Sequence, residues 1–132
     1  MEYDINELIK YRVSKAKETM DDAFAALEEN RLRTANNRIY YAIFYIVSAL
    51  ATKDGFSTSK HLQLMGWFNR NYINKGIIAK EFGDIYKASY KYRQESDYED
   101  FVVFNKSDIE KRYYDMLHFV EEIEKLINLY YS

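Results

Sequence analysis

The sequence predicts an all-α protein, an up-and-down four-helix bundle with one additional short helix. The chain of 132 residues has no proline and only four glycines, so few residues interrupt helices. Apolar residues recur at helical spacing along most of its length. Residues 39–51, IYYAIFYIVSALA, have one plainly polar side chain, Ser48, and are too few to span a bilayer. A helix that is apolar on nearly every side must be buried, so we expect this stretch at the centre of the bundle.

The first two helices are predicted from their caps and apolar spacing. Asp4 is a suitable N-cap with Glu7 three residues later, and Asn30 can end the first helix in the left-handed conformation. The central helix should run from about residue 32 to 53, where Asp54-Gly55 forms a turn. Because the connection is short, the two helices should be antiparallel neighbours. The apolar positions of the first helix are Ile5, Ile9, Val13, Ala16, Met20, Ala23 and Leu27.

A short third helix and a fourth helix follow. The segment Ser57-Thr58-Ser59 offers caps for a helix over residues 61–73. Its apolar edge should contain Leu62, Met65 and Phe68. The fourth helix should cover about residues 79–96. Steps of four, three and four residues place one polar and aromatic set on a single face of this helix, namely Tyr86, Tyr90, Arg93 and Asp97.

The last helix should begin at the capping box Ser107-Asp108-Ile109-Glu110. Apolar residues then recur at alternating steps of four and three residues. This heptad stripe favours packing at a shallow crossing angle, as in a four-helix bundle. The stripe consists of Ile109, Tyr113, Met116, Val120, Ile123, Ile127 and Tyr130.

Composition and charge narrow the classes of function. A net charge of −2 gives no overall attraction to nucleic acid, although a local site remains open. The absence of cysteine excludes disulfides, thiol nucleophiles and cysteine zinc sites. The N-terminal MEYDINELIK carries acids where a signal peptide carries bases and an apolar run. We expect a single domain over residues 1–132 in the cytoplasm, with no cofactor and no membrane association.

Most familiar catalytic patterns are missing. Asp115 and His118 have the acid-x-x-His spacing of di-iron bundles, but only one copy is present, so we predict no metal site. Glutamates 121, 122 and 124 fit the solvated face of the last helix. The isolated glycines form no P-loop or dinucleotide motif. A serine–histidine–acid triad is not visible at local spacing, and one assembled only in space stays open.

The strongest candidate site is basic and rich in tyrosine. Asn37, Arg38, Tyr41 and Tyr45 lie at the N-terminal end of the central helix, after Arg31 and Arg33, and Arg93 has its own tyrosine neighbours. Helix N-termini and arginines bind anions, so this set predicts a phosphate or nucleotide site. The alternative is structural, with buried arginines paired to acids such as Asp97.

Three stretches resemble HEPN domains, in the same order. They are ANNRIYYAIFY on the second helix, Lys60-His61 opening the third with Phe68 downstream, and KYRQESDYEDF closing the fourth. The resemblance covers nearly the whole chain and is to the prokaryotic group often found beside a minimal nucleotidyltransferase. It implies a helical bundle with an extra short helix, homodimerisation, nucleotide or RNA association, and a nucleotidyltransferase partner in toxin–antitoxin or stress-response systems.

One departure from that family bears on activity. HEPN ribonucleases are recognised by an arginine followed, after four to six residues, by a histidine. At the corresponding positions after Arg93 stand Tyr98, Glu99 and Asp100. A lone tyrosine is a poor general base because its pKa is about 10.

We therefore predict a binding module without ribonuclease activity, or with weak activity, that has a ligand cleft. The cleft is expected to be lined by Asn37, Arg38, Tyr41, Arg93, Asp97 and Tyr98. The alternative is an active, metal-independent ribonuclease toxin with Arg93 and Tyr98 as candidate catalytic residues, or with a histidine from elsewhere, such as His61, as the second group.

Overall fold

The computed structural model describes residues 4–128 and confirms the all-α class. The four long helices form the up-and-down bundle, the short α3 is the addition, and the described residues contain no strand. None of these helices is long and apolar enough to cross a membrane. The elements are α1 Ile5–Glu28, α2 Leu32–Lys53, α3 His61–Phe68 continued by a π-helical turn Asn69–Ile73, α4 Lys80–Tyr98, and α5 Lys106–Asn128.

The hairpin of α1 and α2 follows the local signals of the sequence. The Asp4 carboxylate accepts a hydrogen bond of 2.9 Å from the backbone amide of Asn6. Asn30 takes the left-handed conformation, with φ of +58°, and Gly55 ends the turn after α2 with φ of +84°. Both ends of α2 therefore lie where the sequence predicts them, and α2 packs antiparallel to α1.

Helix α2 is the centre of the bundle, but it is not covered all round. Ile43, Ile46 and Leu50 are fully buried, and α2 packs against α1, α4, α5 and the short α3. Tyr41, Phe44 and Tyr45 are only half-buried. We call these three side chains the aromatic face of α2. The expectation of complete burial is wrong for this face, which lies at the end of the bundle that holds Arg93.

The short helix α3 differs from its prediction in two ways. Its α-helical part ends at Phe68, and the chain continues in the π-helical turn to Ile73. Leu62, expected on the apolar edge, is 63% exposed, whereas Leu64 and Trp67 join Met65 and Phe68 in the core. Thr58 supports the helix start, because its hydroxyl accepts from the backbone amide of Lys60 at 3.1 Å.

The start of α5 lies slightly earlier than the predicted capping box. The side-chain oxygen of Asn105 accepts from the backbone amides of Ser107 at 2.9 Å and Asp108 at 3.4 Å, so Asn105 caps the helix. The heptad stripe is buried at Ile109, Met116, Val120, Ile123 and Ile127 and half-buried at Tyr113, while Tyr130 lies outside the described residues. In α1, the first residue of the predicted apolar stripe, Ile5, is half exposed and falls outside the core.

Two adjacent amides of α2 fasten the C-terminal turn of α4. The side chain of Asn36 donates to the Ser96 hydroxyl at 2.9 Å in the buried interior. Asn37 donates to the Asp97 carboxylate at 3.0 Å on the exposed side. Two neighbouring residues of α2 thus donate hydrogen bonds to two neighbouring residues of α4. These bonds hold α4 in the position in which Arg93 faces α2.

Candidate functional site

Arg93 is a buried cation with incomplete compensation. It is 5% exposed, and its Nε and Nη1 atoms make no hydrogen bond to any group in residues 4–128. The only ion pair described for it joins Nε to Asp97 Oδ2, one helical turn along α4, at 3.5 Å. Because a buried charge is costly unless it is paired and hydrogen-bonded, donors are left available for an anionic ligand.

Three tyrosine rings surround the guanidinium of Arg93. Its central carbon lies 5.4 Å from the ring centroids of both Tyr40 and Tyr41 and 5.7 Å from that of Tyr98. Contacts of a guanidinium with aromatic faces offset part of its desolvation cost. We call these three rings the tyrosine cage. Tyr40 is fully buried and Tyr98 is 71% exposed, so Tyr98 is the solvent-facing side of the cage, at the end of α4.

A polar chain from α2 reaches the carboxylate partner of Arg93. Arg38 donates two hydrogen bonds to the side-chain oxygen of Asn37, at 2.9 and 2.7 Å. Asn37 in turn donates to Asp97 Oδ2, the same oxygen that faces Arg93. The guanidinium of Arg38 also lies 5.2 Å from the ring centroid of Tyr41. Arg38 is therefore linked to the Asp97 carboxylate through Asn37, and both arginines lie beside the ring of Tyr41.

The structure brings together all six residues that the sequence places at the cleft: Asn37, Arg38, Tyr41, Arg93, Asp97 and Tyr98. The other arginines of the basic set contact other groups. Arg31 is exposed and pairs with Glu29 at 3.2 Å. Arg33 donates to the Glu99 carbonyl at 3.4 Å and stacks on Phe104. Tyr45 lies at the edge of the cluster, with its ring centroid 5.9 Å from that of Tyr41.

Sequence reasoning missed one pair in this cluster. The Tyr40 hydroxyl and His61 Nδ1 are 2.6 Å apart. The His61 ring centroid lies 5.5 Å from that of Tyr40, 5.8 Å from that of Tyr41 and 4.8 Å from that of Phe44. Residues 37, 40, 41 and 44 have the spacing of one helix face, and this spacing was the available signal for Tyr40. The position of His61 depends on how α3 packs against α2, which local spacing does not reveal.

The protonation states of this pair follow from its surroundings. Burial, and then the positive charge of Arg93, lower the pKa of His61, so its imidazole is neutral at pH 7. Burial raises the pKa of the Tyr40 hydroxyl, and the nearby Arg93 opposes this only in part. Beside the Arg93 cation, this pair thus contributes one neutral imidazole and one neutral phenol.

A cavity of about 450 Å³ lies apart from the Arg93 cluster, between α2, α4 and α5. At its wall the guanidinium of Arg112 stacks 3.3 Å from the Tyr92 ring centroid and donates to Asn36 at 3.2 Å. The guanidinium of Arg112 therefore contacts a tyrosine ring, as that of Arg93 does, but it lies outside the tyrosine cage. Within residues 4–128 no group of three or more histidine or acidic side chains is arranged to hold a metal ion.

Comparisons with known proteins identify similar chains. The model of the HEPN domain matches residues 9–128. A UPF0332 protein of Thermotoga maritima is 39% identical over 121 residues, which cover 92% of each chain. A UPF0332 protein of Pyrococcus horikoshii is 27% identical over 79 residues, covering 60% of this chain and 56% of the relative. A Methanocaldococcus jannaschii protein, named as a candidate toxin, is 24% identical over 110 residues, covering 83% and 75%.

Proposed function

The chain belongs to the HEPN domain family, and from this premise we propose that it is a nucleotide- or RNA-binding module rather than a ribonuclease. One observation carries the proposal: the buried guanidinium of Arg93 has two nitrogens without hydrogen bonds among the described residues. A phosphate group supplies anionic oxygens that match these donors. The rings of Tyr41 and Tyr98 provide surfaces on which a base can stack.

Asp97 is the internal competitor of the ligand in this proposal. Its side chain is 25% exposed, and its 3.5 Å contact with Arg93 is longer than a charge-assisted hydrogen bond. Asn37 holds the carboxylate from the other side. In the empty protein Asp97 therefore keeps Arg93 in place, and a phosphate replaces it as the partner of the guanidinium when the ligand binds.

The proposal extends to assembly and partners. The aromatic face of α2 lies beside the Arg93 cluster and is only half-buried, as expected for a surface that a second copy covers. A two-fold axis there would bring the Arg93 sites of two protomers close together, and a bound anion would balance their charges. The family resemblance and the relative named as a candidate toxin support a nucleotidyltransferase partner in a toxin–antitoxin or stress-response system.

Replacing Arg93 with alanine should weaken binding of AMP and of short RNA at least about tenfold, because hydrogen bonds to a charged group are lost. Calorimetric titration measures the affinity, and light scattering on the same samples should show that the dimer persists. Arg112→Ala is the matched control and should bind as the wild type does. Asp97→Ala should leave affinity unchanged or raise it, since the competing carboxylate is gone.

Two results would count against this proposal. Equal affinities of the wild type and Arg93→Ala would make Arg93 a structural residue. A wild-type monomer at tens of micromolar would remove the two-fold site while leaving the binding site of each protomer open to further test.

A second candidate function is RNA cleavage by Arg93 with a non-standard second group. It is favoured by the position of His61, which contacts the same tyrosine rings as Arg93. Tyr98 is the other candidate for this group, and its ring lies 5.7 Å from the guanidinium carbon.

We expect no cleavage of bulk RNA above background by the purified protein in the presence of a chelator. Tyr98 is a poor base at neutral pH, and His61 Nδ1 is already bonded to Tyr40. Gel analysis of the RNA, with Arg93→Ala and His61→Ala as parallel samples, measures this. Cleavage that persists without metal and disappears in both variants would establish the ribonuclease.

A further inference from the structure

We propose that His61, held by Tyr40, is the second arm of the phosphate site. Its Nε2–H group donates a hydrogen bond to the same phosphate that Arg93 binds. The inference rests on the proposed function of the Arg93 site. It assigns phosphate binding to His61, which the family resemblance places only at the start of the third helix. The ligand class is a phosphate monoester or diester with two oxygens facing the protein.

The tautomer of His61 follows from its bond to Tyr40. The Tyr40 side chain is fully buried, and His61 Nδ1 is the only hydrogen-bond partner described for its hydroxyl in residues 4–128. If Nδ1 carried the proton, the hydroxyl proton of Tyr40 would be buried without an acceptor, which costs free energy. Donation from Tyr40 to Nδ1 satisfies both groups. The neutral ring then carries its proton on Nε2 and presents a donor at that atom.

The two donors lie beside the same two tyrosine rings. The guanidinium of Arg93 and the ring of His61 both lie within 6 Å of the ring centroids of Tyr40 and Tyr41. They are therefore neighbours across the same pair of tyrosines, although they come from α4 and α3. His61 is half-buried and begins α3, so part of this residue is accessible to solvent at the edge of the cluster.

A neutral His61 side chain suits the space beside Arg93 better than a second cation would. An imidazolium beside buried Arg93 would add like-charge repulsion in the empty protein, and burial already disfavours it. A neutral N–H adds a hydrogen bond to the anion without this cost. With Nδ1 bonded to Tyr40 and Nε2 protonated, His61 has no free lone pair for proton abstraction. The arrangement is therefore suited to binding a phosphate and not to activating a 2′-hydroxyl.

Nitrogen-15 NMR of the full chain labelled at histidine tests the tautomer directly. His61 should show the pattern of a neutral ring protonated at Nε2, and Tyr40→Phe should lose that single pattern. Tyr90→Phe is the matched control, because its ring also contacts His61 and Tyr40 while its hydroxyl bonds Gln94. Added inorganic phosphate should shift Nε2 of His61 more than Nδ1. The resonances of exposed His118 should not move, which makes it an internal reference.

Titration with inorganic phosphate and AMP tests the role in binding. His61→Phe keeps a ring and removes the donor, so its affinity should fall at least about tenfold. His61→Gln has an amide N–H near the position of Nε2 and should retain more affinity than the phenylalanine variant. Tyr40→Phe should show a smaller loss, and Tyr90→Phe none. Thermal denaturation of each variant checks that the fold is intact.

The outcomes separate this inference from the function on which it rests. If the wild type binds phosphate, Arg93→Ala loses binding and a folded His61→Phe binds like the wild type, the inference is overturned and the proposed function stands. A His61 ring protonated at Nδ1 overturns it as well. If the wild type binds neither phosphate nor AMP, both the proposed function and this inference fail.

Discussion

Replacing Ile43 with alanine should lower the free energy of unfolding by about 2 to 5 kcal/mol, the range for large-to-small changes in a packed core. Ile43 is fully buried on α2, the helix that contacts every other helix of the bundle. The truncation removes apolar contacts and leaves a cavity, because the surrounding core relaxes only in part. Urea denaturation followed by circular dichroism measures the change.

Ile77→Ala is the matched control for this prediction. It makes the same chemical change at a position that is 52% exposed, so its cost should stay within about 0.5 kcal/mol. A loss below about 1 kcal/mol for Ile43→Ala would mean that the packing around the centre of α2 is not as described.

Replacing Arg93 with methionine should raise the free energy of unfolding by about 1 to 3 kcal/mol, although it should abolish binding of AMP. Two buried nitrogens of Arg93 lack hydrogen bonds within residues 4–128, and an apolar side chain of similar length has no such desolvation cost. Asp97 would not be left as a buried charge, because it is partly exposed and keeps its bond from Asn37. Thermal and urea denaturation of both proteins measure the difference.

The variant Arg112→Met shows whether the gain in unfolding free energy is specific to Arg93. The guanidinium of Arg112 is half-buried and donates to the buried Asn36, so its loss should leave stability unchanged or lower it. A destabilisation of more than about 1 kcal/mol in Arg93→Met would show that the tyrosine cage already compensates the cation in the empty protein.

The parts of the fold that the sequence predicts correctly are those with strong local signals. The ends of α2 follow from Asn30 and Gly55, residues that accept the left-handed backbone their turns require. At the start of α5 two segments offer capping side chains, and Asn105 is used instead of the predicted box at Ser107. The predicted apolar edge of α3 is right at Met65 and Phe68 and wrong at Leu62. An eight-residue helix has only about two turns of spacing, too few to fix which side is apolar at each position.

The same holds for the candidate site, where contacts within one helix were predicted and contacts between helices were not. Helical spacing alone places Arg93 and Asp97 on one face of α4, and the structure describes them as an ion pair. The contact of Asn37 with Asp97 joins residues 60 positions apart, and that of Tyr40 with His61 joins residues 21 apart. Such pairs depend on which faces of different helices meet. No periodicity within a single helix contains that information. His61 is a candidate from the sequence, but its contact with Tyr40 was found only in three dimensions.

The side-chain amides of Asn36 and Asn37 affect how fast a ligand can bind and how much conformational entropy its binding costs. In the proposed function, a phosphate that displaces Asp97 breaks its ion pair with Arg93 and loosens the exposed bond from Asn37, whereas the buried bond from Asn36 to Ser96 stays in place. The last turn of α4 is therefore anchored while its carboxylate swings aside. Capture then needs a side-chain rotation, on the picosecond-to-nanosecond scale, and no slow helix movement. Little conformational entropy is lost in the backbone, and the complex should form at a rate set by diffusion and charge.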